Sequence, residues 1–320
     1  MNYLGIDVSK DKFDVFINDQ RGQFENNDSG FKALISWLKK KKLFKDIHAC
    51  LESTGCYSYA LAEYLHHKGI KVSIINPALI KSFANSLGKR NKTDAIDCEV
   101  IARFCEVNQP SRWEPPAESV KALTEFTRAI DDLKKYKRAL SNRLEGQVNK
   151  IVEKSLKETI ETFDEQIKLL EEEASKRVKE DDNLSRKKKL MMSIPGVGEQ
   201  TAQIILAETR GEPDKFDSAR ALVAYSGLNP SNRQSGKSLN WSSISRKGSS
   251  YLRSKLYFPT LSAIRSNPAI KEFYERLIER GKSKMSAICA CMAKLLKLVY
   301  GVLNSGEEFN PNYKNFAFFS

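Results

Sequence analysis

The first hundred residues switch repeatedly between two hydrophobic periods, and this restricts the fold more than any other feature of the chain. From Asn2 to Phe24 the runs NYLGIDV, KFDVFIND and GQFEN are patterned like strands, the first two separated by a few polar residues, as in an antiparallel hairpin. DSGFKALISWLKKKK then puts Phe31, Leu34, Ile35 and Leu38 at helical spacing behind an Asp or Ser cap. DIHACLE is a short apolar strand ending at Glu52. CYSYALAEYLHHKG is a helix closed by Gly69, and IKVSIIN is a strand stopped by Pro77. Residues 77–108 read as helical. Three antiparallel strands followed by alternating helix and strand predict a mixed α/β sheet with helices on its faces, over 1–108.

QPSRWEPP, at 109–116, is too rich in proline for a regular element and marks a linker or crossing segment. Beyond it Leu123, Phe126, Ile130, Leu133, Leu140, Leu144 and Ile151 form a near-heptad stripe. A second stripe runs through Leu156, Ile160, Phe163, Ile167 and Leu170. Ser155 with Glu158 fits a capping box, which places a helix break there. The expectation for 109–184 is a linker and a helical hairpin or coiled coil able to pair with another subunit. A further, mainly helical domain is expected over 185–320, starting near Arg186. In it LMMSIPGVGEQTAQIILAE reads as helix, Pro-Gly-Val-Gly turn, helix, the pattern of a helix-hairpin-helix element whose backbone N–H groups can hold a phosphate. SNRQSGKSLNWSSISRKGSS reads as a polar loop, and helices are expected from Tyr251 to Leu303.

Charge points to the partner. The 320 residues hold 53 Lys and Arg against 40 Asp and Glu, a net +13. Between Gly236 and Tyr300 there are 13 Lys or Arg and 3 acids. A cationic surface of that kind suits a polyanion, whose phosphates release counterions on binding. Ser185 to Lys189, SRKKK, is a further basic run. The six cysteines form no CxxC pair and there are three histidines, so a Cys/His zinc site is not expected. The N-terminus resembles neither a signal nor a transit peptide, and no uninterrupted apolar run approaches twenty residues. A reduced, cytoplasmic protein without a membrane partner is the expectation.

Asp7 follows the first strand's apolar entry, Glu52 ends the fourth, and Asp94 and Asp97 share one helix face at i,i+3. If the strands of Asp7 and Glu52 are neighbours and that helix packs across them, four carboxylates converge. Such a set repels itself unless cations occupy it. Hard divalent ions suit oxygen ligands, and two of them can stabilise the attacking and leaving oxygens of phosphodiester exchange. GIDVSKDKFDVFI also fits the first phosphate loop of actin-like sugar kinases, but the second Gly-rich loop those enzymes need is missing.

The blocks YLGIDVSKDKFDV, CLESTGCY, VSIINPALIKSFA, RNKTDAIDCEVIARFC, SIPGVGEQTA, FDSARALVAYSGLNP, SGKS and ISRKGSSYLRSKL, in that order, resemble the DEDD transposases of insertion sequences. These include the bridge-RNA-guided serine recombinases, and the likeness runs nearly end to end. Ser53 stands where the family often has Ala. The resemblance implies a ribonuclease-H-like N-terminal domain related to the RuvC Holliday-junction resolvase, a coiled-coil insertion and a C-terminal transposase domain. It implies that Asp7, Glu52, Asp94 and Asp97 hold magnesium. It also implies that Ser235, before Gly236, is the nucleophile; by itself that serine reads as a turn residue.

A serine nucleophile stores the attacked phosphodiester as a phosphoserine link, so strands can be exchanged and rejoined without ATP. No histidine follows residue 67 to act as its base, which leaves activation by a metal site. The resemblance further implies double-stranded donor and target DNA, a homo-oligomer (dimer or tetramer) assembled through the coiled coil, and a bridge RNA pairing with both DNAs. The chain has no sequence-reading motif such as a zinc finger or homeodomain-like arm, and delegating sequence choice to base pairing removes that need. The alternatives are a branched-DNA endonuclease using the acids alone, a DNA invertase of the same family, and a non-catalytic nucleic-acid-binding protein.

Overall fold

The N-terminal alternation becomes one five-stranded sheet: β1 (Asn2–Val8), β2 (Lys12–Ile17), β3 (Gln20–Glu25), β4 (Ile47–Glu52) and β5 (Lys71–Ile75), in the order β3-β2-β1-β4-β5. β2 pairs antiparallel with β1 and β3, whereas β1–β4 and β4–β5 are parallel, as crossover helices require. This computed structural model describes residues 1–53, 57–87, 94–147, 149–235 and 239–311, the side chains at 94–96, 232–235 and 239–242 excepted. The chain divides into units Met1–Pro115 and Pro116–Ser320.

Period two decides which residue meets which layer. Leu4, Ile6 and Val8 of β1 join one core with Phe31 and Leu34 of α1 (Asp28–Lys40) and Leu61 and Leu65 of α2 (Tyr57–His67). The cap of α1 is Asn27, one residue before the predicted Asp-Ser pair; its side chain accepts from Gly30 N. The opposite face of the sheet carries Cys50, packed with Val100, Ile101 and Cys105 of α4 (Asp94–Asn108) and Ile80 of α3 (Pro77–Ser86). After α4 the proline-rich segment runs beside β5: Trp113 N donates to Val72 O at 2.7 Å, and Ser73 Oγ to Ser111 O at 2.8 Å. The Trp113 ring is buried in the α1/α2 core.

In the C-terminal unit α5 (Glu118–Leu144) and α6 (Lys150–Glu180) form an antiparallel hairpin, laced by Lys134–Glu171 at 2.7 Å and Lys137–Asp164 at 2.5 Å. The predicted break at Ser155 is corrected. α6 runs straight through that residue and starts at Lys150, just after Asn149, whose side chain accepts from Ile151 N and Val152 N. Asn149 supplies the cap, so the box at Ser155 is not needed. Val120, Leu123, Ala174 and Val178 near the base of the hairpin share a core with the helices that follow. Arg186 lies inside α7 (Asp182–Met192).

The turn between α7 and α8 (Glu199–Glu208) holds Gly196 at φ +100°, where a Cβ would stand 2.5 Å from that of Ala263 in α11 (Tyr257–Ser266). Only glycine fits both demands. The expected polar loop contains a two-stranded antiparallel hairpin, β6 (Pro230–Ser235) and β7 (Leu239–Ile244). Around it lie α9 (Ala219–Tyr225), α10 (Ser250–Lys255), α12 (Pro268–Glu279) and α13 (Lys284–Ser305). By length and apolar composition α13 is long enough to cross a membrane. Its Cys291, Leu295, Leu296, Leu298 and Val299 are instead the centre of this unit's core, each worth roughly 1.5–3 kcal/mol when fully buried.

The basic run at Ser185 to Lys189 is not a bare cationic patch. Lys187 is buried, pairs with Asp214 at 2.7 Å and donates to Gly211 O at 2.9 Å. Lys188 pairs with Glu199 at 2.8 Å. One helical turn presents successive residues to different sides, so a linear run of lysines is not one face.

Candidate active site

β1 and β4 are direct neighbours, with Ile6 opposite Leu51. Asp7 and Glu52 are each the next residue along, so the parallel pair brings both to one end of the sheet. Strand alternation turns them away from the α1/α2 core towards the face that α4 covers. Both are half-buried.

α4 lies against that face because β1 lets its backbone in. A Cβ on Gly5 would stand 2.0 Å from Cys98 O and 2.4 Å from Ala102 N. The close approach fixes Asp97, half-buried, at the same end of the sheet as Asp7. Asp94 opens the helix one turn before Cys98; its side chain is outside the described residues. The electrostatics agree, since burial, then Asp14, then Asp7 push the Cys98 thiol up to about 12. Both carboxylates therefore bear on the first turns of α4.

Asp14 was not anticipated. It faces Asp7 across the β1–β2 ladder and accepts from Gln23 Nε2 at 2.8 Å. Like charges directly opposite on a sheet destabilise it, so two adjacent strands carry an arrangement that folding alone disfavours. The signal was legible: with an antiparallel hairpin of short connection, period two puts Asp14 on the same face as Asp7. Arg21 of β3 ties the rim together by pairing with Glu99 of α4 at 2.9 Å.

Among the described residues no three carboxylates close to within 4.8 Å of one another. Asp7, Glu52 and Asp97 share a region without forming a tight cluster, as mutually repelling acids do. Half-exposed oxygen donors from β1, β4 and α4 fit a hard divalent cation, which takes carboxylates together with water or phosphate oxygens.

The trio that does close to within 4.8 Å is His48, Cys50 and Cys105, all buried under α4. No local pattern marks it, because the three come from two separate elements, β4 and α4. His48 Nε2 is 2.8 Å from Ser73 Oγ, and Cys105 Sγ donates to His48 O at 3.7 Å. The hydrogen bond with Cys105, and then burial, push the Cys50 thiol up. The same hydrogen bond draws the Cys105 thiol down to about 6, so the pair shares its proton unequally within a buried, hydrogen-bonded trio.

Ser235 is the last residue of β6, opposite Leu239 in the ladder. Its side chain and its neighbour Gly236 lie outside the described residues.

A sequence model of the DEDD transposases of the IS110 group matches residues 4–153, and one for the transposase IS116/IS110/IS902 family matches residues 188–275. The pilin gene-inverting protein of Moraxella bovis is 32% identical over 96% of this chain and 97% of its own length. The transposase for insertion sequence element IS1111A of Coxiella burnetii is 24% identical over 96% of this chain and 90% of its own. This chain belongs to the IS110 family of transposases, enzymes of DNA strand transfer and recombination. Its N-terminal domain is of the DEDD type, which uses divalent metal.

Proposed function

We propose that this transposase carries out site-specific DNA strand exchange, with Asp7, Glu52, Asp94 and Asp97 holding two magnesium ions and Ser235 as the nucleophile. The observation that carries the reading is the parallel β1–β4 pair, which brings Asp7 and Glu52 to one end of a sheet crossed there by α4. The strand order, antiparallel on one side of β1 and parallel on the other, supports a ribonuclease-H-like, RuvC-like domain.

Ser235 Oγ would attack a backbone phosphorus, forming the P–O bond of a phosphoserine and breaking one P–O bond of the strand. The hydroxyl proton leaves Oγ and the departing deoxyribose oxygen acquires one. Reversal on a second strand restores a phosphodiester with no external energy source. The bound divalent ions would polarise the phosphoryl oxygens and offset charge on the attacking and leaving oxygens. The half-buried acids hold their geometry through β1, β4 and α4, and Asp14 adds negative potential beside them.

Sequence choice is assigned to a bridge RNA pairing with donor and target DNA, while the protein holds backbones electrostatically. The half-buried stripe of α5 and α6, with Ile151 81% exposed near the turn, supports assembly into a dimer or tetramer. The site of action is the cytoplasm, on nucleoid DNA. The same chemistry serves inversion when both sites lie on one molecule, a second reading favoured by the name of the Moraxella bovis relative.

The test is trapping. Wild-type protein with magnesium, DNA and the transcript flanking its gene should give a covalent protein–DNA adduct that Ser235→Ala and Asp7→Ala both lose. Undiminished cleavage by Ser235→Ala would instead make the protein a hydrolytic nuclease. Equal recombination after ribonuclease treatment would end the guide assignment.

A further inference from the structure

The C-terminal unit contains a cavity of about 760 Å³ between the open end of the β6–β7 hairpin, α12 and the first half of α13. Its apolar lining includes Leu228, Ile244, Ala290 and Ala293. Its cationic lining is Lys282, Arg276 of α12, and Lys294 and Lys297 of α13, the last two on the same helical stripe as Ala290 and Ala293. The cations crowd one another. Burial, then Lys297 and Arg276, draw the Lys294 ammonium down from the ordinary lysine range, with Glu272 acting in the opposite sense. Burial and Arg220 do the same to Lys297. Arg246 and Arg253 bear on Cys289, which also lines the cavity.

Lys294 and Lys297 are half-buried, and Arg276 and Lys294 both stack on the Phe273 ring, at 5.4 and 5.9 Å; like charges gathered this closely repel, and a bound anion offsets that repulsion. The volume exceeds what a phosphate alone needs and falls in the range of sites for small organic ligands. Apolar and cationic lining side by side suits an amphipathic anion with a flat hydrophobic part. Helical pairing would keep a base out of reach, so the occupant must come from an unpaired stretch.

We propose that this cavity binds one unpaired nucleotide of a nucleic-acid strand, its base against the Ile244–Ala290–Ala293 wall and its phosphate among Arg276, Lys294 and Lys297. β6 starts on the cavity wall at Pro230 and ends at Ser235, about 17 Å further on for an extended strand. A nucleotide held here fixes the register of the strand leading towards that end of the hairpin. The binding does not depend on Ser235 being the nucleophile, nor on the metal site.

The experiment is fluorescence anisotropy without divalent metal, using the full chain and an oligothymidylate of about 12 nucleotides. Its comparators are the matching oligouridylate, an abasic strand and a duplex. Lys294→Met/Lys297→Met keeps the apolar stems and should weaken binding roughly 10-fold and lower the salt slope by about 1.4. Ala290→Trp fills the cavity without changing charge and should weaken the normal strand but not the abasic one. Equal weakening of DNA and RNA by the double variant points to the shared phosphate and base; an effect confined to one identifies the source. Arg276→Gln, at an exposed residue, repeats the test should the double variant melt early. Unchanged affinity and salt slope in both cationic variants, or equal losses for the abasic strand with Ala290→Trp, would overturn the assignment.

Discussion

Gly5→Ala would separate the seating of α4 from every other feature of the N-terminal unit. The new Cβ would stand 2.0 Å from Cys98 O and 2.4 Å from Ala102 N, where ordinary contacts are about 3.5 Å. Neither atom can rotate away, since both belong to helix backbone, so α4 must rise by on the order of 1 Å. Overpacking of this kind costs about 1–3 kcal/mol, a fall in Tm of roughly 4 °C per kcal/mol for a unit this size. The more telling loss is of metal binding, because Asp94 and Asp97 ride on the lifted helix. Manganese at a hundred times its Kd should stabilise the wild type by about 2.7 kcal/mol, and Gly5→Ala should lose most of that increment. Thermal melts with and without metal measure both terms. Gly22→Ala is the control, because its Cβ would meet only side-chain atoms, the closest being the Phe24 ring at 2.9 Å. A Gly5→Ala protein with wild-type Tm and undiminished metal stabilisation would refute the seating of α4 as the device that assembles the acids.

Asp7→Asn should leave the metal-free Tm unchanged or slightly higher, since it relieves repulsion from Asp14, while abolishing the metal-dependent rise in the same melts. Asn149→Ala should destabilise the α5–α6 hairpin by about 1 kcal/mol and Ser155→Ala by much less; urea titration of both would reverse the placement of the turn if Ser155 proved the costlier. Lys187→Met should cost about 3 kcal/mol by leaving Asp214 without its ammonium, and adding Asp214→Asn should recover part of it; additive losses in a denaturant double-mutant cycle would show the pair to be uncoupled.

The sheet and its acid rim were legible because the signals were local and periodic. Glu52 ends an apolar run, Asp7 follows one, and each strand's length fixes which end the acid occupies. Asp14 was equally within reach, but its role is visible only once the register of the hairpin is taken seriously. The β6–β7 hairpin was not legible. PSNRQS has no apolar residue after its proline, and the alternation in LNWS is too short to mark a strand by itself. The start of α6 at Lys150 was missed because Ser155 and Glu158 imitate a capping box in a helix already capped by Asn149. The inward turn of Lys187 depends on Asp214, twenty-seven residues away in the chain, and composition alone cannot assign a partner at that distance.

The segment beside β5 has a bearing on how this chain can be cut into fragments. Trp113 N takes the Val72 carbonyl, and the indole fills the core below. A fragment ending at Asn108 would strip both away, leaving a parallel strand with unanswered carbonyls and a hole the size of a tryptophan. Such an edge is a template for joining another chain, so that fragment should aggregate even with all four acids present. Seven more residues, to Pro115, would keep the edge covered and the fragment in solution.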